Sequence, residues 1–308
     1  MSGHYSVLYR ECMEALPLGD GRVFVDGTLG GGGHSEGILK NSKGQLIAID
    51  KDQAAIERCQ KRLEPYRGRF TLVHDDFQNI KDILARLDVG AVDGALLDLG
   101  VSSFQLDEGE RGFSYQKEAP LDMRMDRDNP LTAQTIVNTY EKRELIRIIS
   151  TYGEEKFAAR IADRILKNRP IMTTTQLAEI VREAIPAAAR RTGGHPAKRT
   201  FQAIRIAVNG ELDHLSETTR DFIDVLAPGG ILAVITFHSL EDRAVKQAMR
   251  QAENPCTCPP DFPQCICGKK PLGKMVTRKP ILPSQEELEE NNRSHSAKLR
   301  IFQKNTEA

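Results

Sequence analysis

The sequence predicts an α/β fold in which a mostly parallel, doubly wound sheet is interrupted by an all-helical subdomain. Two observations predict it. In the first hundred residues, β-rich runs alternate with helical patterns over short connections, as in right-handed βαβ units. Between residue 105 and about residue 197 no strand pattern appears, and the alternation resumes after that segment.

Each element is predicted by its own pattern. The strands are runs of β-branched and apolar residues, and the helices carry apolar residues three and four positions apart. Pro228, Gly229 and Gly230 are expected to end the longest helix, and Ser239 is expected to cap the next one. The expected strands are 22–26, 45–50, 70–74, 91–99 and 231–237, with two more within 274–282 and 297–303. The expected helices are 52–63, 80–87, 141–149, 155–167, 175–184, 201–226 and 239–252.

Domain organisation and compartment follow from the same patterns. Residues 1–107 and 198–308 are expected to form the sheet domain, and 108–197 the inserted helical subdomain. Equal numbers of basic and acidic residues, 43 each, exclude a globally basic protein but leave room for a local basic patch. The longest apolar run, 231–237, is far short of the ~20 residues of a membrane helix. With no apolar signal core at its N-terminus, the chain is expected to be soluble and cytoplasmic.

A glycine-rich turn follows the first expected strand, with the sequence Asp26-Gly-Thr-Leu-Gly-Gly-Gly-Gly-His34. Glycines permit a tight turn and a close approach of ligand to backbone, and such turns at the carboxyl edge of a parallel sheet bind nucleotides. The turn lacks the lysine of a P-loop, and Ser35 occupies the third glycine position of a dinucleotide motif. The turn best fits an adenosyl cofactor without phosphates.

Acidic residues end the next two strands. Asp50 lies where a carboxylate accepts hydrogen bonds from ribose hydroxyls, and Asp52 is expected to cap the following helix. Asp75 and Asp76 follow the third strand, where they either meet an adenine edge or cap the next helix. Phe77 is placed to pack on the face of the adenine.

Asp98 ends the apolar fourth strand, where a buried charge is costly unless it has a role. A sulfonium cofactor is positively charged and would be held by a nearby carboxylate. Ser102 and Ser103 follow this strand, and His238 follows the fifth. We expect these four residues around the reacting group, although a structural role for His238 fits the sequence equally well.

Two further groups of residues carry possible binding chemistry. Cys256, Cys258, Cys265 and Cys267 form a C-x-C-x6-C-x-C pattern that fits either a zinc site or a redox-sensitive loop, although C-x-C is tight for one metal. Basic residues flank the Gly/Pro-rich segment 193–196 and are expected to contact RNA phosphates, a solvated charged surface being the alternative. These basic residues are Arg190, Arg191, Lys198 and Arg199.

The motifs taken together resemble one known family. They are VDGTLGGGGHS at 25–35, AID at 48–50, LLDLGVSSFQLD at 96–107, ERGFSY at 110–115, PLDMRMD at 120–126, TYGEEKFA at 151–158, HPAKRTFQAIRIAVN at 195–209 and FHSLEDR at 237–243. The chain resembles, from about His4 to Ile301, the bacterial S-adenosylmethionine-dependent methyltransferases that modify cytosine N4 in the decoding region of small-subunit (16S) ribosomal RNA.

The resemblance implies a Rossmann-like class I methyltransferase fold and a set of cofactor contacts. The implied cofactor-binding residues are Gly32, Gly33, His34, Asp50, Phe77, Asp98 and Gln105. The helical subdomain is expected to position the substrate RNA, within the small ribosomal subunit and away from membranes. The cysteine pattern is not part of this resemblance.

Two other functions stay open from the sequence. One is a methyltransferase that acts on DNA or on a small molecule, against which the basic segment and the large insertion argue weakly. The other is a non-catalytic RNA-binding assembly module, against which the glycine turn, Asp50 and Asp98 argue.

Overall fold

The computed structural model describes residues 6–191, 194–259 and 266–307. His4, Gly193 and Cys265, which the sequence analysis names, lie outside these residues. The chain forms two compact units. One reaches to Gly100 and resumes at His214, and the other is Val101–Asp213.

Seven strands of the described residues form a single sheet in the order β3-β2-β1-β4-β5-β7-β6. The strands β1 to β5 are parallel to their neighbours, β7 runs antiparallel to β5, and β6 runs antiparallel to β7. This arrangement confirms the predicted α/β, Rossmann-like class I methyltransferase fold. The strands are β1 (Val23–Asp26), β2 (Gln45–Asp50), β3 (Phe70–His74), β4 (Val92–Asp98), β5 (Leu226–Thr236), β6 (Gly273–Met275) and β7 (Lys298–Lys304).

The helices follow the strands in the sheet unit and fill the second unit. In chain order they are α1 (Tyr9–Ala15), α2 (Gly33–Asn41), α3 (Gln53–Arg62), α4 (Ile80–Arg86), α5 (Ser103–Asp107), α6 (Ala133–Thr139), α7 (Lys142–Gly153), α8 (Ala158–Lys167), α9 (Thr174–Ala184), α10 (Ala187–Arg190), α11 (Lys198–Asn209), α12 (Leu215–Val225), α13 (Ser239–Glu253) and α14 (Gln285–Glu290). No helix of the described ranges is long and apolar enough to cross a membrane.

The sheet places three acidic residues at one edge. Its central strands β1, β2 and β4 are mostly buried and apolar, and each of them ends in an acidic residue. Because β1, β2 and β4 are parallel neighbours, their final residues Asp26, Asp50 and Asp98 all lie at the carboxyl edge. The chain order reverses between β1 and β4, which is where open α/β sheets bind ligands.

The helical unit is wider than the expected 108–197. Helix α11 packs on α7 so closely that a Cβ at Gly153 would lie 2.7 Å from the carbonyl oxygen of Arg199. Gln202 also donates a hydrogen bond to the carbonyl of Tyr152 at 3.1 Å. The expectation that residues after 198 belong with the sheet was therefore wrong for α11, since its apolar face completes the core of the helical unit.

Three expectations about the helices were also wrong. The single helix expected over 201–226 is two helices, because α11 ends at Gly210, which has a φ of 61° in the left-handed region that glycine adopts readily. Pro228, Gly229 and Gly230 lie within β5 rather than ending a helix. The N-cap of α13 is His238 rather than Ser239.

Candidate active site

The glycine turn after β1 is held by the strands on both sides of it. Gly27 donates a backbone hydrogen bond to Leu96 of β4 at 2.9 Å, and Leu29 donates one to Ile49 of β2 at 2.9 Å. Gly30 donates a third, at 2.8 Å, to the carboxylate of Asp50. These bonds place the turn across the carboxyl ends of three strands.

The glycines that open α2 are required by the chain itself. Gly32, the N-cap of α2, has a φ of 76°, and a Cβ there would lie 2.8 Å from the Sγ atom of Cys59. A Cβ at Gly33 would lie 2.0 Å from the Oγ atom of Ser6. The predicted cofactor residues Gly32 and Gly33 therefore lie in a tightly packed turn that has no room for a side chain at either position.

The carboxylate of Asp50 organises this turn. Its Oδ2 atom accepts from Gly30, and its Oδ1 atom accepts from the backbone N–H of Asp52 at 2.8 Å. Burial raises the pKa of Asp50 to about 6, against the opposing effect of these two hydrogen bonds. Asp52 caps α3 by accepting from Ala54 at 3.1 Å, which confirms its expected role.

Asp26 is a buried structural acid. Its two oxygens accept from the backbone N–H of Thr28 at 3.1 Å and from the hydroxyl of Ser35 at 2.7 Å. Burial raises its pKa. The serine at the third glycine position of the turn thus serves to hold this carboxylate, a use that the motif comparison did not reveal.

Asp98 differs from the other acids at this edge. Its Oδ1 atom is buried and has no hydrogen-bond partner among the described residues, although 26% of the side chain is exposed. Burial, reinforced by the negative charges of Asp26, Glu241 and Glu287, raises the pKa of Asp98 to about 8. An unsatisfied carboxylate among other acidic groups lowers the stability of the folded protein, but it favours the binding of a cation.

His34 lies beside Asp98, with its Nε2 atom 3.7 Å from Oδ2 of the acid. Burial lowers the pKa of His34 to about 4, so its ring is neutral near pH 7. The ring stacks on Tyr9 at a centroid distance of 6.2 Å. His34 therefore does not supply the positive charge that Asp98 would pair with.

The residues after β3 mostly serve the fold. Asp76 caps the turn that follows by accepting from Gln78 at 3.0 Å, and Asp75 is paired with Arg86. Of the two alternatives for these acids, these bonds fit capping and pairing. The ring of Phe77 packs against Phe222 at 6.5 Å, at a tilt of 49°.

Both ring nitrogens of His238 contact Glu241, in the helix that His238 caps. Its Nδ1 atom accepts from the backbone N–H of Glu241 at 3.4 Å, and its Nε2 atom lies 3.0 Å from Oε1 of that residue. Glu241 is buried and accepts from the backbone N–H of Phe237 at 2.8 Å. The sequence places Glu241 in the first turn of this helix, but its capping box with His238 was not predicted, although an acid three residues after a cap is the signal of one.

Comparison with known proteins identifies the family of the chain. A family model described as the MraW methylase family matches residues 1–305. The chain belongs to the MraW methylase family. It is 56% identical over 308 residues to ribosomal RNA small subunit methyltransferase H 2 of Agathobacter rectalis, which covers 98% of each chain.

Other relatives agree in length and identity. Ribosomal RNA small subunit methyltransferase H of Carboxydothermus hydrogenoformans is 55% identical, over 98% of this chain and 97% of its own. The corresponding protein of Brevibacillus brevis is 56% identical over 98% of each chain. A solved rRNA methylase from Streptococcus thermophilus aligns with 96% of this chain and 93% of its own, at a TM-score of 0.41 and 12% identity. The family membership rests on the sequence relatives.

In this MraW family member, three predicted site residues belong to the helical unit. The Oγ atom of Ser102 accepts from the backbone N–H of Gln105 at 3.2 Å, and the Gln105 side chain accepts from the backbone N–H of Ser102 at 3.0 Å. This reciprocal pair is the capping box of α5, whose first residue is Ser103. The predicted roles of Ser102, Ser103 and Gln105 toward substrate and cofactor stay predictions.

The four predicted RNA-contacting residues, Arg190, Arg191, Lys198 and Arg199, are all exposed on the helical unit. Between them, the ring of His195 stacks on Tyr115 at 4.4 Å, with planes 18° apart, and Tyr115 packs edge-on against Phe201 at 5.7 Å. The sequence analysis did not single out Tyr115. Cys256, Cys258 and Cys267 lie between α13 and β6, well apart along the chain from the strand ends.

Proposed function

We propose that the chain transfers a methyl group from S-adenosylmethionine to the exocyclic N4 amine of a cytosine in the decoding region of small-subunit ribosomal RNA. Its membership of a methylase family supports the reaction, and the names of its full-length relatives support the class of RNA. The cytosine, its N4 atom and the decoding region rest on the resemblance of all the motifs together.

The residues at the carboxyl edge of the sheet fit the cofactor. S-adenosylmethionine, when bound, supplies an electrophilic methyl group on a positively charged sulfur. Asp50, at the end of β2, keeps lone pairs for the ribose hydroxyls while it holds the glycine turn. Gly33 offers a backbone N–H group at the start of α2 and Phe77 offers an apolar face, whereas the N–H of Gly32 already donates to the carbonyl of Leu29 at 2.7 Å.

The unpartnered carboxylate oxygen of Asp98 is the observation that carries the proposal. Methyl transfer moves positive charge from sulfur to the attacking amine, so a fixed carboxylate at this point stabilises charge both before and during the reaction. A pure binding module has no use for such a group. Of the remaining candidates, Ser102 and His238 already take part in helix caps, and Ser103 is the first residue of α5.

The low reactivity of the cytosine N4 amine determines what the active site must provide. The lone pair of a cytosine N4 amine is delocalised into the ring, so the amine is a weak nucleophile. A site that accepts hydrogen bonds from its N–H groups and aligns it with the methyl group for in-line transfer raises its reactivity. The base must first leave its stack to enter the pocket. Asp98 is the best supported acceptor among the four candidates.

We assign substrate binding to the helical unit. Its exposed basic residues fit a phosphate backbone, which supplies affinity with little sequence information. The proposed substrate is the ribosomal RNA within the small subunit, because a large insertion is of little use to an enzyme that acts on a small molecule.

A substrate comparison tests the proposal. Purified protein and methyl-labelled S-adenosylmethionine are incubated with small ribosomal subunits, naked ribosomal RNA, duplex DNA and a metabolite extract. We expect label in the subunits or their RNA. Label only in DNA or metabolites would support the second class of function, and cofactor binding without transfer to any substrate would support an assembly module.

A further inference from the structure

Three cysteine thiols converge in the loop between α13 and β6. The Sγ atoms of Cys256, Cys258 and Cys267 all lie within 4.8 Å of one another, and those of Cys256 and Cys267 are 3.9 Å apart. From the sequence, the C-x-C spacing was considered tight for one metal. In the structure, the thiols of Cys256 and Cys258 nevertheless lie close enough together to bind the same ion.

The separation of the sulfurs matches one metal ion. Zinc–sulfur bonds are about 2.3 Å long, which puts two sulfurs of a tetrahedral site about 3.8 Å apart. A disulfide would require about 2.05 Å. The distance of 3.9 Å between Cys256 and Cys267 is that of two ligands of the same zinc ion, not that of a bonded pair.

The backbone around the thiols is also arranged as in a metal-binding turn. The N–H of Ile266 points at the Sγ atom of Cys258 at 3.4 Å, a contact that stabilises a thiolate. Gly268, directly after Cys267, has a φ of 66°, and nothing lies within 4 Å of where its Cβ would be. The glycine is therefore required by the turn and not by packing.

The two ends of the loop are held together by the fold. Leu272 donates a backbone hydrogen bond to Ala252 at 2.9 Å, and Met275 donates one to the carboxylate of Glu253 at 3.0 Å. The segment between these anchors is rich in proline, glycine and lysine, and two of its described cysteines, Cys258 and Cys267, are partly buried. Such a segment has little apolar surface of its own to bury, and a metal cross-link supplies the missing constraint.

We propose that Cys256, Cys258 and Cys267 bind one structural zinc ion as thiolates. Lys269 and Lys270, which follow in the chain, offset the negative charge that three thiolates bring to zinc. The ion has a structural role and takes no part in methyl transfer. This inference is therefore independent of the proposed function.

Metal content tests the proposal. Full-length protein purified under reducing conditions is dialysed against metal-free buffer and analysed by mass spectrometry for zinc. We expect about one zinc per chain in the wild type, and at least a fivefold lower content in Cys258→Ser. Cys12→Ala, which removes a buried thiol far along the chain from the loop, is the matched control and should keep its zinc.

A second measurement uses the unmutated protein, so its result does not depend on whether a cysteine variant folds. Zinc is replaced by Co²⁺, whose absorption reports its ligands. Intense thiolate-to-cobalt charge-transfer bands with tetrahedral d–d bands support the site. Chelation should then expose the loop to protease at least tenfold faster without changing the far-ultraviolet circular dichroism of the sheet and helices.

The proposal is overturned by any of three results. These are less than 0.2 zinc per chain after reconstitution with excess zinc (about a fifth of a site, the level expected for surface binding), octahedral cobalt spectra without sulfur bands, or a disulfide between Cys256 and Cys267 in protein isolated under reducing conditions.

Discussion

Asp98 is the residue at which stability and function are opposed. Its Oδ1 atom has no partner among the residues that the structure describes, and burial raises its pKa to about 8 from an ordinary value near 4. A carboxyl group with a raised pKa favours the folded state below its unfolded pKa and loses that contribution as the pH rises through about 8. Above that pH the folded chain carries an unpaired negative charge.

Asp98→Asn is therefore expected to stabilise the protein while it abolishes methyl transfer. The gain should be smallest near pH 5 and largest at pH 8 or above, at about 1–2 kcal/mol. Thermal unfolding of both proteins from pH 5 to pH 9 without cofactor measures it. Equal melting temperatures across this range would contradict the assignment of an unpaired carboxylate.

The same residue predicts how cofactor affinity depends on pH. A bound cation favours the ionised form of Asp98, so binding below pH 8 requires the loss of a proton. The Kd for S-adenosylmethionine should fall as the pH rises from 6.5 to 8, by at most about tenfold per pH unit, and then level off. Calorimetry with Asp98→Asn as control separates this effect from titration of the cofactor itself. A wild-type curve parallel to that of the variant would rule the effect out.

Asp50 has a double role that the sequence did not reveal. We predicted it as the ribose acceptor, and it also accepts from the backbone of Gly30 and Asp52. Asp50→Ala should weaken cofactor binding by about 1.5–3 kcal/mol, roughly 10- to 150-fold, for one lost charged hydrogen bond. The melting temperature should fall as well, since two backbone donors lose their acceptor. An unchanged Kd in the folded variant would exclude contact with the ribose.

At the scale of elements, the strands were predicted well and the helix ends less well. The bounds of β2 and β3 agree with the expected 45–50 and 70–74, because each strand is a short run rich in β-branched and apolar residues. The break between α11 and α12 was missed because apolar periodicity continues on both sides of Gly210. The cap of α13 was misplaced because histidine is an uncommon cap, and only the capping box with Glu241 identifies it.

The tight packing around Gly27, where β1 joins the glycine turn, can be tested by mutation. A Cβ at Gly27 would lie 2.4 Å from Leu97 Cδ2, 3.2 Å from Phe222 Cζ and 3.3 Å from Phe77 Cβ. Gly27→Ala should therefore cost about 1–3 kcal/mol of unfolding free energy by overpacking. Cofactor affinity should fall too, because the pair Phe77–Phe222 must shift.

Gly90→Ala is the matched control for this change, since no heavy atom lies within 4 Å of the added carbon. Denaturant unfolding and cofactor titration of both variants measure the effects. If Gly27→Ala behaves like Gly90→Ala, the turn is less tightly packed than the structure indicates.

At the scale of the whole molecule, the sequence patterns predicted an inserted helical unit but not its limits. Periodicity identifies a helix without telling which neighbour it packs against, so α11 was assigned to the sheet rather than to the core that it shares with α7. Function at this scale depends on surface charge. Lys198 and Arg199 are exposed, and Arg199 donates a hydrogen bond to the carbonyl of Glu154 at 3.4 Å.

Replacing Lys198 and Arg199 together by alanine should weaken binding to small ribosomal subunits and flatten its salt dependence. For single-stranded RNA each lost phosphate contact lowers the log–log slope by about 0.7, so about 1.4 for the pair. Lys40 and Lys61, exposed on the sheet unit, provide the control pair. Cofactor affinity should not change in either double variant. Identical slopes in all three proteins would identify Lys198 and Arg199 as part of a solvated surface.

The central claim is that this MraW family member methylates N4 of a cytosine in small-subunit ribosomal RNA, and nucleoside mass spectrometry tests it most directly. Small subunits from cells that lack the enzyme are incubated with methyl-deuterated S-adenosylmethionine and either wild-type protein or Asp98→Asn. The RNA is then digested both to nucleosides and to mapped fragments. We predict deuterated N4-methylcytidine at a single position of the decoding region with the wild type and none with the variant. Deuterium on another base, on another atom of cytosine or at scattered positions would contradict the account.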